Sequence, residues 1–480
     1  MDAMGERKEH RQGSAAALSG RRLADVIKLV PSFFGFAFVR AWDDLAFSRF
    51  AALFPDTPWL GQDIVSLGML PVFLLVVLAA RRLAPLYRRP ALVIGAPLMM
   101  VAAVVFYELS LGLPDGAQAA LVLAALLAGA GAALSILQWA ELQSCLNSLQ
   151  IVLYVSGSFF LGSLLGWMAL DAGPERMAVI MLLLPVLSLF CLKAAFAKIA
   201  QADLPKSDWG AVRFPWKLVI VLGVYEFAMG VTQGGTSFGA DAPVLGVLVA
   251  SAVLFCLAFF FSHRFDFTRI YRTPFVLMVC GLLAAVLSFS ASNAVASMLV
   301  STGYALMFLL LTMLLCDISH RYGVSAALLC SIEELVMFSG VGGHLAVQPA
   351  VQAVVPPLQD GVVVSIFLTV LVVVASMVLL SEREYSRWGA SFFGVGSRDP
   401  EGDAQAAFVR RCEELAGQHR LSPREKEVFQ LIAEGKSPSE IEGELYIASG
   451  TLKSHTRRIY QKFNVHSRGE LIALLQEKEG

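Results

Sequence analysis

Twelve apolar runs, each near the roughly 20 residues that a bilayer demands of a spanning helix, leave this chain little choice of fold. They fall approximately at 29 to 50, 63 to 80, 91 to 111, 117 to 138, 149 to 170, 177 to 196, 215 to 234, 243 to 262, 275 to 292, 296 to 316, 325 to 346 and 361 to 380. Of the 480 residues, 57% are hydrophobic and only 16% charged. Soluble domains carry about 25% charged residues, so a wholly soluble fold is excluded. The expected class is all-α, with a polytopic membrane helical bundle making up most of the chain.

Charge placement sets the expected orientation, because Lys and Arg favour the cytoplasmic side. The tail 1–28 is polar and basic (Arg7, Lys8, Arg11, Arg21, Arg22, Lys28) and shows no cleavable signal pattern. With that tail inside, the inner loops include 81–90 (Arg81, Arg82, Arg88, Arg89), 197–214 (Lys198, Lys206, Arg213) and 263–274 (Arg264, Arg269, Arg272). The outer loops hold one arginine, Arg176, against Asp56, Asp115, Asp171, Glu175, Asp241 and Asp360. An even number of spans returns the carboxyl terminus to the cytoplasm. Leu86-Tyr87-Arg88-Arg89-Pro90 recurs as Ile270-Tyr271-Arg272-Thr273-Pro274, so two six-span halves, 29–196 and 215–380, are expected about a central loop at 197–214. In this topology the first 380 residues resemble the major facilitator transporters, although the glycine-aspartate-arginine pattern of that superfamily's basic loops is absent.

Charges inside spans cost roughly 3 kcal/mol each at mid-bilayer and survive best facing a cavity or partner. The candidates are Arg40, Asp43 and Asp44 in span one, Glu226 in span seven, and Glu333, Glu334 and His344 in span eleven. Arg40 and Glu226 occupy similar depths in the first helices of the two halves. They are expected to face a central cavity and there either pair or bind a polar ligand; a purely structural ion pair is the competing reading. Asp43, Asp44 and His344 are expected near the outer interface, which leaves Arg40, Glu226 and Glu333 as the ligand-binding candidates. Gly162 and Gly166 fit close helix packing. The seven cysteines form no CxxC pair and read as reduced packing residues. No GxxxxGK, HExxH or GxGxxG is present, and Gly235-Thr236-Ser237-Phe238-Gly239 falls in a short loop between spans rather than on a nucleophile elbow. No enzyme, metal or cofactor is expected.

The last sixty residues change character. Ser422-Pro423-Arg424-Glu425, Ser437-Pro438-Ser439-Glu440 and Ser467-Arg468-Gly469-Glu470 each place a capping serine three residues before a glutamate that can bond back. Between the second and third lies Ser449 to Phe463, with Leu452, Ile459 and Phe463 on one helical face and Lys453, Arg457 and Arg458 on the other. From Lys453 to Arg468 there are five basic residues and no acid, although 421–480 holds nine of each sign. That is the electrostatic footprint of a recognition helix for a DNA major groove.

Leu421-Ser422-Pro423-Arg424-Glu425, Val428, Gly435, Glu440-Ile441, Thr451-Leu452-Lys453, His455, Ile459-Tyr460, Lys462 and Ser467-Arg468 resemble, in order and spacing, the LuxR-type four-helix helix-turn-helix DNA-binding domain. The resemblance implies a C-terminal domain at 421–480 behind a linker at 381–420. It places Lys453, Ser454 and Arg457 at base edges and Thr451, Arg458, Lys462 and Arg468 toward phosphates. Ala448 stands where the family usually has its capping serine, so Ser449 is expected to cap one residue late; Glu442 replaces a small residue. The expected protein is a membrane-anchored one-component transcription regulator of the bacterial inner membrane, both termini cytoplasmic. Its transporter-like domain would sense a small-molecule ligand, and its tail would bind double-stranded promoter DNA as a homodimer. The alternative is a functional transporter with a fused DNA-binding domain.

Overall fold

A chain buried in lipid must satisfy every backbone polar group internally, and this one does so with helices. The structure, a computed structural model, describes residues 30–53, 58–112, 117–205, 214–233, 242–261, 270, 272–286, 290–343, 345, 360–379, 415–417, 419, 421–433, 436–445, 449–465, 467, 470 and 471. No strand occurs among them. The tail 1–28, the linker 381–414, the loop 235–239, His344 and Arg468 lie outside the described residues. The chain divides into two compact units, Met1–Phe393 and Gly394–Gly480.

In the first unit, α1 (Phe36–Ala51), α2 (Pro58–Leu83), α3 (Pro90–Gly112), α4 (Ala117–Gln143), α5 (Ser148–Leu170) and α6 (Pro174–Phe196) follow the first six apolar runs. The second half comprises α7 (Trp216–Gln233), α8 (Ala242–Phe261), α9 (Thr273–Val286), α10 (Ser290–Tyr322), α11 (Ala326–Leu335), α12 (Phe338–Gly342) and α13 (Asp360–Leu379). By length and composition alone, six described segments could cross a bilayer: residues 63–83, 90–112, 118–143, 148–170, 174–196 and 294–322. Large apolar side chains such as Leu78, Phe190 and Met377 are exposed on the outside of the bundle, where only lipid would cover them favourably.

The packing repeats between halves. α3 packs on α4 as α9 does on α10, α2 on α4 as α8 on α10, and α3 on α6 as α9 on α13. Glycine permits the close approach of α5 to α1: a Cβ on Gly162 would lie 2.6 Å from Arg40 Cβ and 2.8 Å from the Ala37 carbonyl oxygen. Gly162-x-x-x-Gly166 therefore serves internal packing. α5 meets α8 and α2 meets α11 across the halves, and polar ties close one end. Ser148 Oγ donates to Asp317 Oδ1 at 2.6 Å, Arg321 Nε holds Asp317 Oδ2 at 2.8 Å, and His320 Nδ1 lies 2.9 Å from the Ser144 carbonyl oxygen. At the same end Glu141 accepts the Leu86 and Tyr87 amides at 2.7 and 2.9 Å, fixing the turn after α2.

Span eleven departs from expectation. It is not one helix over 325–346 but two short ones, α11 and α12, broken at Val336 and Met337. The Val336 and Met337 amides reach the Glu333 and Glu334 carbonyls, one residue short of α-helical pairing. Span ten runs longer than expected, so Asp317, His320 and Arg321 extend α10 instead of forming a loop. The six described cysteines are free thiols; Cys145, Cys316 and Cys330 are buried, while Cys256 and Cys280 are exposed among the apolar side chains of α8 and α9. Burial pushes the Cys145 thiol, just beyond α4, up to about 12, so it does not ionise at neutral pH.

The second unit contains α14 (Pro423–Ala433), α15 (Pro438–Leu445) and α16 (Ser449–Phe463). Val428, Phe429 and Ile432 of α14, Ile441 of α15, and Leu452, Ile459 and Phe463 of α16 share one core. The Phe429 and Phe463 rings stack at 4.8 Å.

Candidate nucleic-acid interface and a buried charge cluster

Caps fix where the C-terminal helices begin. At α14 the Glu425 amide donates to Ser422 Oγ at 3.3 Å and the Ser422 amide donates to Glu425 Oε2 at 2.8 Å, the reciprocal pair expected from the sequence. Ser467 Oγ accepts from the Glu470 amide at 3.2 Å and donates to Glu470 Oε1 at 3.0 Å. At α16 Ser449 is already the first helical residue, so the helix begins one position earlier than a cap at Ser449 would put it. The same helix ends at Asn464, whose φ of 53° is the left-handed conformation. The Val465 amide then reaches back to the Tyr460 carbonyl at 3.0 Å and tucks Val465 into the core.

With both ends set, α16 buries Leu452, Ile459 and Phe463 and turns Thr451, Lys453, Ser454, Arg457 and Arg458 to solvent. Lys462 is different. Its Nζ lies 2.6 Å from Glu425 Oε2, with the lysine side chain 36% exposed and the glutamate 5%. That lysine, together with the Ser422 bond, holds the Glu425 carboxyl down to about 2. A residue expected to face phosphate is thus bonded to an acid of its own unit.

In the membrane unit, the cost of burying charge is met within one helix. Arg40 Nη1 holds Asp43 Oδ2 at 3.0 Å, its Nη2 bonds Asp44, and Ser163 Oγ of α5 donates to Asp44 Oδ2 at 3.2 Å. This corrects two expectations. Arg40 pairs with Asp43 and Asp44, not with Glu226, because carboxylates three and four residues on lie on its own face. Asp43, 4% exposed, belongs to the interior and not the outer interface. Tyr304 of α10 hydrogen-bonds Glu226, and Glu334 lies within electrostatic reach of Arg40, Asp43 and Glu226. Glu333 instead turns to α10, where Thr312 Oγ1 donates to its Oε1 at 2.8 Å. Of the two adjacent acids it is thus Glu334, not the candidate Glu333, that lies near Arg40, and Tyr304, whose only signal in the sequence was a hydroxyl in an apolar run, joins Glu226 there. Buried oxygens of Asp43 (Oδ1), Glu226 (Oε2) and Glu333 (Oε2) have no hydrogen-bond partner among the described residues. Among the described residues, no three His, Cys, Asp or Glu side chains gather as a metal site.

Two classes of protein meet in this geometry: a transporter-like helical bundle and a compact helix-turn-helix unit. Residues 419–475 match the family described as bacterial regulatory proteins, luxR family. Over 63 residues, 13% of this chain, the sequence is 33% identical to the spore germination protein GerE of Bacillus subtilis and covers 85% of it. It is 45% identical over 58 residues, 12% of this chain, to the transcriptional regulatory protein DesR of Bacillus subtilis, but spans only 29% of DesR's length. Through this segment the chain belongs to the luxR family of bacterial regulatory proteins. The bundle is similar to a bacterial homologue of the iron transporter ferroportin in an outward-facing state, with a TM-score of 0.53 at 14% identity, covering 75% of this chain and 99% of that one. It is likewise similar to the human organic anion transporter MFSD10, with a TM-score of 0.54 at 12% identity, covering 72% and 97%. These likenesses establish a major-facilitator-like fold, and with the apolar helices they make the protein membrane-integral.

Proposed function

We propose that the protein is a membrane-anchored one-component transcription regulator, in which the bundle senses a small molecule and thereby controls promoter binding by the C-terminal unit. The observation that carries this reading is the joining, in one polypeptide, of a major-facilitator-like bundle with buried charges to a luxR-family unit whose α16 displays Thr451, Lys453, Ser454, Arg457 and Arg458. Lys453, Ser454 and Arg457 read base edges; Thr451, Arg458 and Arg468 meet phosphates. A single small module binds DNA weakly at physiological salt, so the working form on promoters is a homodimer on two half-sites. Both termini face the cytoplasm from the bacterial inner membrane. Genome-wide mapping of bound DNA with wild-type and Lys453→Ala/Arg457→Ala protein tests the reading: discrete promoter sites that vanish in the double variant support it, and identical maps overturn it. A reporter fused to the carboxyl end that is active only outside the cytoplasm would also overturn it. The similarity of the bundle to transporter structures over 99% and 97% of their length favours transport as a second reading, and substrate accumulation in sealed vesicles separates the two.

A further inference from the structure

A groove of about 450 Å³ opens on the outer surface of the bundle beside α7, lined by Trp216, Ile220, Gly223 and Phe227 with Val336 and Leu371 from the neighbouring helices. Trp216 and Ile220 at its lip are 55% and 49% exposed, on a surface that faces lipid. Its inner wall is thin. Glu226 lies about 60° around α7 from Gly223, and Gly340, next to the groove-lining Ser339, rests against it. A Cβ added at Gly340 would lie 3.2 Å from Glu226 Cγ and 3.4 Å from its Oε1. Ser339, which lines the groove, donates to the Gly223 carbonyl at 2.8 Å, and its neighbour Gly340 is the residue that touches Glu226.

The charge behind that wall has one sign in excess. Asp43, Asp44 and Glu334 sit within electrostatic reach of a single cation, Arg40, whose guanidinium is taken by Asp43 and Asp44, and Glu334 in turn lies within reach of Glu226. Among the described residues neither Glu226 nor Glu334 has an ion-pair partner. Glu226 Oε2 and Asp43 Oδ1 are buried and unbonded among the described residues, and Asp43 is only 4% exposed. An anion would meet like charge here, a neutral apolar molecule would leave the acid unpaired, and an inorganic cation would have no use for the groove.

We propose that the groove and Glu226 form one site for a lipophilic cation that enters sideways from the bilayer, its apolar body lying between α7, α12 and α13 and its positive head against the Glu226 carboxylate. The proposal names the ligand class for the sensor function above and rests on that reading. Binding of tetraphenylphosphonium to the full-length protein in lipid nanodiscs tests it, with tetraphenylborate as an anion of the same size. Saturable binding of the cation alone is expected, with affinity falling about tenfold in Glu226→Gln, the scale of one charge-assisted contact. Ile220→Trp, at an exposed position and distant from the charges, should fill the groove and lower affinity comparably, while Phe190→Trp elsewhere on the lipid-facing surface should not. If Glu226→Gln proves unstable, Ile220→Trp carries the test. Unchanged cation binding in Ile220→Trp, or in folded Glu226→Gln, overturns the proposal, as does tetraphenylborate binding that depends on Ile220. Generic-duplex binding by the same nanodiscs, compared between wild type and Lys453→Ala/Arg457→Ala, reports on the regulator reading separately, so that failure of the cation leaves the DNA result standing.

Discussion

Neutralising Lys462 should leave the salt dependence of DNA affinity almost untouched, whereas neutralising Arg458 should flatten it. Each cation that meets a phosphate on B-DNA contributes ~0.9 to the slope of log affinity against log salt, through released counterions. On the contacts proposed above, Arg458 and Arg468 would together supply a slope of about −1.8, and a third phosphate contact from Lys462 would take it to about −2.7. Lys462 is already bonded to Glu425 at 2.6 Å. Moving it onto a phosphate exchanges one charge-assisted bond for another and strands a glutamate that is 4% exposed. The Glu425 carboxyl is held down to about 2, so the acid stays charged throughout the pH range of duplex DNA and the pair persists. Fluorescence anisotropy of the full-length protein in nanodiscs with a labelled generic duplex, titrated from ~50 to ~200 mM salt, measures the slope. Arg458→Met should reduce its magnitude by ~0.9, and Lys462→Met by much less than half of that. Equal flattening in the two variants would show that Lys462 leaves Glu425 for the phosphate, and the argument would be wrong.

Glu425→Gln should cost the C-terminal unit about 1 kcal/mol at neutral pH, a value kept low by solvent screening of a partly exposed pair. Because the folded carboxyl is depressed to about 2 from an ordinary 4.5, this contribution is full above about pH 4.5 and lost as pH falls through about 2; thermal melts of the wild type across that window should show the decline, and the variant should not. Asn464→Gly should melt within about 1 kcal/mol of wild type, while Asn464→Val, forced to φ near 53°, should lose about 1–2 kcal/mol. Gly162→Leu must push α1 away from α5 and displace Arg40, so detergent-extracted protein should lose its monodisperse chromatographic peak; unchanged melting and elution would contradict the close packing described.

How much of this was legible in the sequence depends on whether each helix carries its own phase. α16 does: one face apolar and the other basic, so Leu452, Ile459 and Phe463 could be assigned to the core, and they are buried there. The membrane helices do not, because lipid and protein interior are equally apolar and hydrophobicity runs all the way round. Run lengths therefore gave the helix order, but not that Glu334 rather than Glu333 joins Arg40, a choice of 100° between neighbours. The three- and four-residue spacing of Asp43 and Asp44 from Arg40 was visible, yet their burial depends on where α1 begins, at Phe36 after a 3-10 turn over Pro31–Phe34. The Glu425–Lys462 pair joins residues 37 apart in sequence and needed the tertiary fold. The break at Val336 and Met337 has no proline to announce it.

For occupancy of the bundle to reach a promoter, ligand must bind one state of the bundle better than another; equal affinity for both shifts nothing, however tight. The state described is tied at one end by Asp317, which holds Arg321 at 2.8 Å and accepts from Ser148 at 2.6 Å across the two halves. Asp317→Asn removes the charge from this tie while keeping its shape. Weakening it by about 1–3 kcal/mol would shift the balance between states about 5- to 150-fold. In a coupled regulator, DNA affinity of the full-length protein in nanodiscs must then move even without ligand, in the same direction that ligand or its removal moves it. If the variant melts at lower temperature and yet binds DNA with wild-type affinity and salt slope, the bundle merely tethers the DNA-binding unit. Sensing would then have to enter by some other route than a change of state between the two halves.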